Sequence, residues 1–297
     1  RMINDVTPSQ ADSAFPRMND AADTAAWPAV DLKLLAQAVD AATVYDVARV
    51  SPLEAAAKLT ERLGNDIWLK REDLTPVRSY KIRGAVNAMT RLLEESPDQE
   101  IFVCASAGNH AQGVAFACRH FGKKGVIFMP VTTPRQKIDK TQTFGGDAIE
   151  IRLTGDYFDQ ALAAAQAFCT EVGGHFLSPF DDDDVIEGQA SVGAEIMEQL
   201  GRAPDLIVLP VGGGGLASGV KRYFEALGAP VAFRYVEPLG GASLTAALKA
   251  GEPVTLNKID GFVDGAAVAR IGARPFAALK DAKVSQVVLA PEDRICI

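Results

Sequence analysis

Histidine and cysteine are scarce, and their scarcity narrows the chemistry. The three histidines, His110, His120 and His175, have no spacing that sets two on adjacent helical turns beside a glutamate, so a zinc enzyme is not expected. The four cysteines, Cys104, Cys118, Cys169 and Cys296, are far apart and mostly sit in apolar or alanine-rich runs. They read as reduced, buried thiols, neither a disulfide framework nor a metal knuckle. No apolar run approaches the roughly 18 residues that suggest a membrane helix. The first residues lack the apolar stretch of a secretion signal, so a cytoplasmic protein is expected. Positive charge is short as well: 30 Lys and Arg against 38 Asp and Glu leave a net charge of −8. Phosphate backbones call for a concentrated cationic surface, so no nucleic-acid partner is expected, and no membrane; small molecules are.

What is present is an ordinary globular composition, 297 residues with 48% hydrophobic and 23% charged, enough for two domains. Residues 1–28 lack periodicity and read as a disordered arm. Helical spacing begins near residue 31 with Leu34, Leu35, Ala38 and Val39 on one face, and a turn follows at Ser51-Pro52. NDIWLKRED then reads as a short strand, and SYKIRGAVNAMTRLLEE as a helix with Ile82, Val86, Met89, Leu92 and Leu93 in register. Lys81 therefore falls at a helix start. Beyond it, strands such as EIFVCAS, GVIFMP and AIEIRL alternate with helices such as HAQGVAFACRHF and FDQALAAAQAFCTEV, the rhythm of βαβ units on a parallel sheet. A second series runs through DLIVLPV, LASGVKRYFEAL and VAFRYVE. The expectation is α/β with two parallel-sheet domains. Residues 29–95 and 180–297 would form the larger, discontinuous one and residues 96–179 the smaller, with a boundary near PFDDDD. The acidic run Asp181–Asp184 suits a helix dipole better than an ion, because adjacent residues of one loop rarely converge on one metal.

Three stretches carry chemistry. In REDLTPVRSYKIRGA, Lys81 follows an aromatic, Tyr80, and has four cationic neighbours, Lys70, Arg71, Arg78 and Arg83. Like charges would ease its deprotonation and make it a nucleophile toward aldehydes; the competing reading is a solvated basic loop. In ASAGNHAQGVA, residues 105–115, small residues open a helix whose first amides suit a carboxylate, with the Asn109 side chain beside them. Ser106 and Asn109 could instead merely cap that helix. In LPVGGGGLASG, residues 209–219, four glycines between a strand and a helix suit amides turned toward one phosphate. A Walker A loop is disfavoured because Gly219 is followed by Val220. A dinucleotide loop fits better, with Gly212, Gly214 and Ala217 in G-x-G-x-x-A and Glu237 ending the next strand, and would make an NAD-dependent oxidoreductase. It leaves Lys81 and SAGNH unexplained. Pyridoxal 5'-phosphate explains all three stretches, since it needs an amine for its aldehyde, a cup for its phosphate and donors for its ring and the substrate carboxylate.

SYKIRGA, SAGNHAQGVA and VGGGGLASG, in this order, closely resemble the biosynthetic threonine dehydratases, or threonine ammonia-lyases, of the fold-type II, tryptophan-synthase-β-like pyridoxal-phosphate enzymes. VSPLEAAAKL, IWLKRED and FVDGAAVARIG extend the similarity from about residue 30 to the end. The resemblance implies that Lys81 binds the cofactor aldehyde and later moves the substrate Cα proton, with Tyr80 near the ring and Asn109 on its 3′-oxygen. Gly212, Gly213, Gly214, Gly215 and Leu216 would hold the phosphate, and Ser106, Ala107, Asn109 and His110 would surround the substrate carboxylate. The implied reaction converts L-threonine to 2-oxobutanoate and ammonia, the entry to isoleucine synthesis, and acts on L-serine too. In the related serine racemases a serine stands at the position of Ala107 and protonates the opposite face, so Ala107 favours elimination. Some relatives bind a cation through an acidic pair; Glu237 matches the first member but Ser243 stands at the second, so no metal is expected. A homo-oligomer, dimer or tetramer, is implied as well. The family continues past VVLAPEDRICI, so the large domain is expected to be incomplete, and a catalytically incompetent fragment remains an alternative.

Overall fold

The computed structural model describes Val39 and residues 43–295. The arm expected over residues 1–28, the helix expected from residue 31 apart from Val39, and Cys296 lie outside the described residues.

A short antiparallel pair, β1 (Leu53–Ala55) and β2 (Trp68–Lys70), flanks α1 (Ala57–Leu63) and leads to α2 (Lys81–Glu95). Three βα units follow: β3 (Ile101–Ala105), α3 (Asn109–Phe121), β4 (Lys124–Met129), α4 (Arg135–Gly145), β5 (Ile149–Leu153) and α5 (Phe158–Glu171), closed by β6 (His175–Phe176). Their strands form a parallel sheet in the order β5-β4-β3-β6. Strand periodicity explains why both faces are covered. Phe102, Cys104, Ile127 and Met129 join the core under α2 and α3, while Val103, Ala105, Val126 and Phe128 meet Ala161 and Ala165 of α5.

The chain then runs through α6 (Asp183–Leu200), β7 (Leu206–Pro210), α7 (Gly215–Ala226), β8 (Ala232–Pro238), α8 (Ser243–Ala250), α9 (Ala273–Leu279), β9 (Val287–Ala290) and α10 (Glu292–Ile295). β7, β8 and β9 make a second parallel sheet. Ile207, Leu209, Phe233 and Tyr235 turn inward onto Val220 and Phe224 of α7, whereas Leu206, Val208 and Val288 are exposed. The acidic run opens α6: Asp182 Oδ1 accepts the Val185 amide at 2.9 Å, and Asp183 and Asp184 lie in the first turn, where the helix dipole favours them.

Helix α6 is the axis on which the functional elements hang. A Cβ on Gly84 of α2 would overlap the Gln189 side chain and stand 2.8 Å from the Val185 carbonyl oxygen; one on Gly188 would stand 2.6 Å from the Arg83 carbonyl oxygen. On its other side, a Cβ on Gly219 of α7 would stand 2.5 Å from the Ile186 carbonyl oxygen. Glycine thus lets α2 and α7 approach α6 to backbone contact, each through its first turns. Among the described residues no helix is long and apolar enough to cross a membrane.

Candidate active site

The three chemistry-bearing stretches meet. Helix α2 begins at Lys81 with Tyr80 as its cap residue, and α3 crosses that start so closely that a Cβ on Gly113 would lie 3.0 Å from the Lys81 carbonyl oxygen. The SAGNH loop, which opens α3, is thereby fixed beside the lysine. On the other side, Lys81 Nζ donates to the Pro179 carbonyl at 2.6 Å and lies 5.9 Å from the Phe180 ring centroid. The same ring fills the space that a Gly213 side chain would occupy, and so touches the glycine turn.

The Lys81 amine is depressed to about 8, as its sequence setting suggested, but the cause is different. Burial lowers it; the four cationic neighbours do not. Lys70 Nζ is 2.5 Å from Glu195, Arg71 pairs with Glu54 at 2.5 Å and Asp73 at 2.7 Å, and the buried Arg83 bridges Glu72 at 2.8 Å and Glu195 at 2.5 Å. Burial works against the Arg83 charge, but Glu72 and Glu195 outweigh it and hold the guanidinium protonated. Arg78 is exposed, with a left-handed φ of 59°. Three of the four charges are therefore neutralised by carboxylates, and what surrounds the amine is the Tyr80 ring at 5.4 Å, the Phe180 ring and the Pro179 carbonyl. Burial likewise raises the Tyr80 phenol to about 12.

In the SAGNH loop the helix cap is Gly108, whose amide donates to Ser106 Oγ at 3.2 Å. The amides of Asn109, His110 and Ala111 donate to no backbone carbonyl among the described residues. They form a helix N-terminus open to an anion, with Asn109 exposed beside them and Ser106 and Ala107 half-buried. His110 is buried and its Nε2 donates to the Leu177 carbonyl at 2.9 Å. Burial first, and the Lys81 charge second, depress it to about 3, so the imidazole is neutral.

Gly212–Gly215 turn from β7 into α7. Gly214 requires glycine because its φ is +91°. The amides of Gly213, Gly214, Gly215, Leu216 and Ala217 donate to no backbone carbonyl among the described residues, and they stand at the start of a twelve-residue helix. An amine of lowered basicity next to such a donor set fits a group that carries both an aldehyde and a phosphate. Glu237 takes no part in a dinucleotide site. It is buried and accepts from the Leu244 amide at 2.6 Å, the Thr245 amide at 2.9 Å and Thr245 Oγ1 at 2.7 Å, capping α8. Ser243, on the same turn, donates to the Gly212 carbonyl at 3.3 Å. Among the described residues no group of three His, Cys, Asp or Glu side chains could hold a metal ion. Cys104, Cys118 and Cys169 are buried free thiols.

Sequence reasoning missed Pro179 and Phe180, which read only as a boundary ahead of the acidic run. It also missed Asp181, whose carboxylate accepts the Ala273 and Arg274 amides at 3.0 and 2.8 Å and ties this segment to the start of α9.

The family described as "Pyridoxal-phosphate dependent enzyme" matches residues 44–297. The biosynthetic L-threonine dehydratase of Bacillus subtilis is 47% identical over 253 residues, covering 85% of this chain and 60% of that protein. The chain thus spans less than two thirds of the length of such curated relatives, 60% of this one and 41% of the chloroplastic threonine dehydratase 1 of Solanum lycopersicum. Among solved structures, the processed form of threonine deaminase isoform 2 from Solanum lycopersicum aligns with a TM-score of 0.81 at 42% identity, covering 88% of this chain and 70% of that one. Maize serine racemase aligns with a TM-score of 0.81 at 25% identity, covering 88% and 77%.

Proposed function

Because the chain belongs to the pyridoxal-phosphate dependent enzyme family, we propose that it carries the catalytic residues of a threonine ammonia-lyase, converting L-threonine to 2-oxobutanoate and ammonia and acting on L-serine in the same way. The observation that carries the reading is one place holding a lysine amine depressed to about 8, an open helix N-terminus at residues 109–111 and an open amide cup at residues 213–217. Bound pyridoxal phosphate supplies the electron sink for charge left on the substrate Cα. The protein's residues do the rest. With its proton affinity near 8, about a quarter of Lys81 is neutral at pH 7.5, against about a thousandth of an ordinary lysine, so the amine can capture the cofactor aldehyde and shuttle the Cα proton.

The cup amides, with Gly212 behind them, would hold the phosphate. Asn109 would donate to the ring oxygen, and the amides of 109–111 with Ser106 would take the substrate carboxylate. The neutral His110 keeps a second cation away from Lys81. Ala107 offers no proton to the far face, which favours elimination over racemisation. The threonine dehydratase and threonine deaminase names of the relatives support the substrate, and we propose with it the first step of isoleucine synthesis and a cytoplasmic location. The resemblance also implies a dimer or tetramer, which sedimentation velocity reads directly.

The test is to add pyridoxal phosphate, reduce with borohydride and map the peptides, alongside an assay of 2-oxobutanoate from L-threonine. Label on Lys81, and loss of both label and turnover in Lys81→Ala, are expected. A folded chain with no adduct refutes the reading. An adduct on Lys81 without turnover selects the alternative of a fragment that retains the cup but not the activity.

A further inference from the structure

The segment between β6 and α6 is fastened on every side. The Asp181 amide donates to Ser178 Oγ at 3.0 Å, the Asp181 carboxylate holds the two amides at the start of α9, and Asp182 caps α6. Held between these anchors, Pro179 receives the Lys81 ammonium and Phe180 presents its ring both to that ammonium and to the glycine turn. Not only would a Cβ on Gly213 overlap the ring; one on Gly215 would lie 3.1 Å from the Phe180 Cβ. Phe180 thus meets the cup at two residues, through its ring at Gly213 and through its Cβ and backbone at Gly215, and the ring lies within 6 Å of the amine.

We infer that Phe180 is a positioning residue: its ring is a wedge that sets the separation between the Lys81 amine and the Gly213–Gly215 turn and keeps water off the amine. Its relevance to catalysis rests on the cofactor reading given above, but the wedge itself is a property of the protein alone. The titratable groups that face the amine are Tyr80, which stays protonated, and His110, which stays neutral. Neither carries a charge that could hold the amine in one state, which leaves burial, to which the Phe180 ring contributes, as the influence on its basicity.

The experiment is competitive acylation of the chain without cofactor, with trace acetic anhydride across a pH series, read at Lys81 by peptide mass mapping against the exposed Lys249. Wild-type Lys81 is expected to reach half-maximal labelling near pH 8. In Phe180→Ala the midpoint should rise by about one pH unit, because water then reaches the ammonium. Gly213→Ala, whose new methyl displaces the ring while Phe180 remains, should move it in the same direction and decides the matter alone if the first variant fails to fold. A midpoint unchanged in the folded variants overturns the inference. The two readings fail separately. Normal labelling with no pyridoxal phosphate adduct refutes the cofactor reading and leaves the wedge. Unchanged midpoints with the adduct intact refute the wedge only.

Discussion

Replacing Lys81 by methionine should stabilise the protein near neutral pH and lose that advantage as the solution is made alkaline. The amine is lowered from 10.5 to about 8 by burial. Between those values the unfolded chain holds a proton that the folded chain has released, so wild-type stability rises with pH through this window and is flat below it. At about 1.36 kcal/mol per pH unit, the rise from pH 8 to pH 9.5 is about 2 kcal/mol. Lys81 is only half-buried by surface exposure, which reduces the expected rise to roughly 1–2 kcal/mol. Lys70, also lowered by burial, titrates in both proteins and cancels in the difference. The assay is urea unfolding of wild type and Lys81→Met at pH 7.0 and 9.5. The variant's margin over wild type should shrink by that amount between the two. Margins that agree to within about 0.5 kcal/mol would show that the amine is not held below its ordinary basicity, and the nucleophile argument would lose its physical basis.

Two further outcomes follow from the buried charge network and the strained turn beside Lys81. Glu195→Gln should destabilise by about 3 kcal/mol, because Arg83, fully buried, and Lys70 would lose their shared carboxylate; a drop of less than about 1 kcal/mol in urea unfolding would contradict the network's assigned place in the core. Arg78→Gly should stabilise by about 1 kcal/mol by relieving a left-handed backbone on an exposed residue, read as a higher thermal midpoint, and a lower midpoint would argue against strain there.

Much of this arrangement was legible in the chain. The alternation of period 2 and period 3.6 announced the parallel sheets, because buried strands and amphipathic helices cannot share one spacing. Lys81 could be placed at a helix start and the glycines between a strand and a helix for the same reason. The acidic run could be read as a helix start because Asp182 needs only its own helix to act as a cap. The cause of the lysine's depression was not legible. Neighbours along the sequence are cationic, yet Glu195, which neutralises two of them, is 125 residues from Lys70 and 112 from Arg83. Nor was Phe180, since an aromatic before four aspartates has no local signature of a wedge. Its position follows from how α6 packs, which no spacing encodes.

That packing also brings the helix that carries the amine and the helix that carries the cup to one place. Helices α2 and α7 reach backbone contact with α6 through Gly84, Gly188 and Gly219, and α3 reaches α2 through Gly113, each within its first turns. The starts of four helices are therefore gathered at one place, and each start carries partial positive charge. Helix α6 has its own cap in Asp182, which accepts the Val185 amide, while the amides that open α3 and α7 are left for anions from outside. Two separate anion sites beside one amine are what a phosphate-bearing aldehyde and an amino-acid carboxylate call for. Because these helices meet backbone against backbone, a methyl group at Gly84 or Gly188 would displace the helix that carries Lys81, whereas changes on the exposed face of α1 would leave the site as it is.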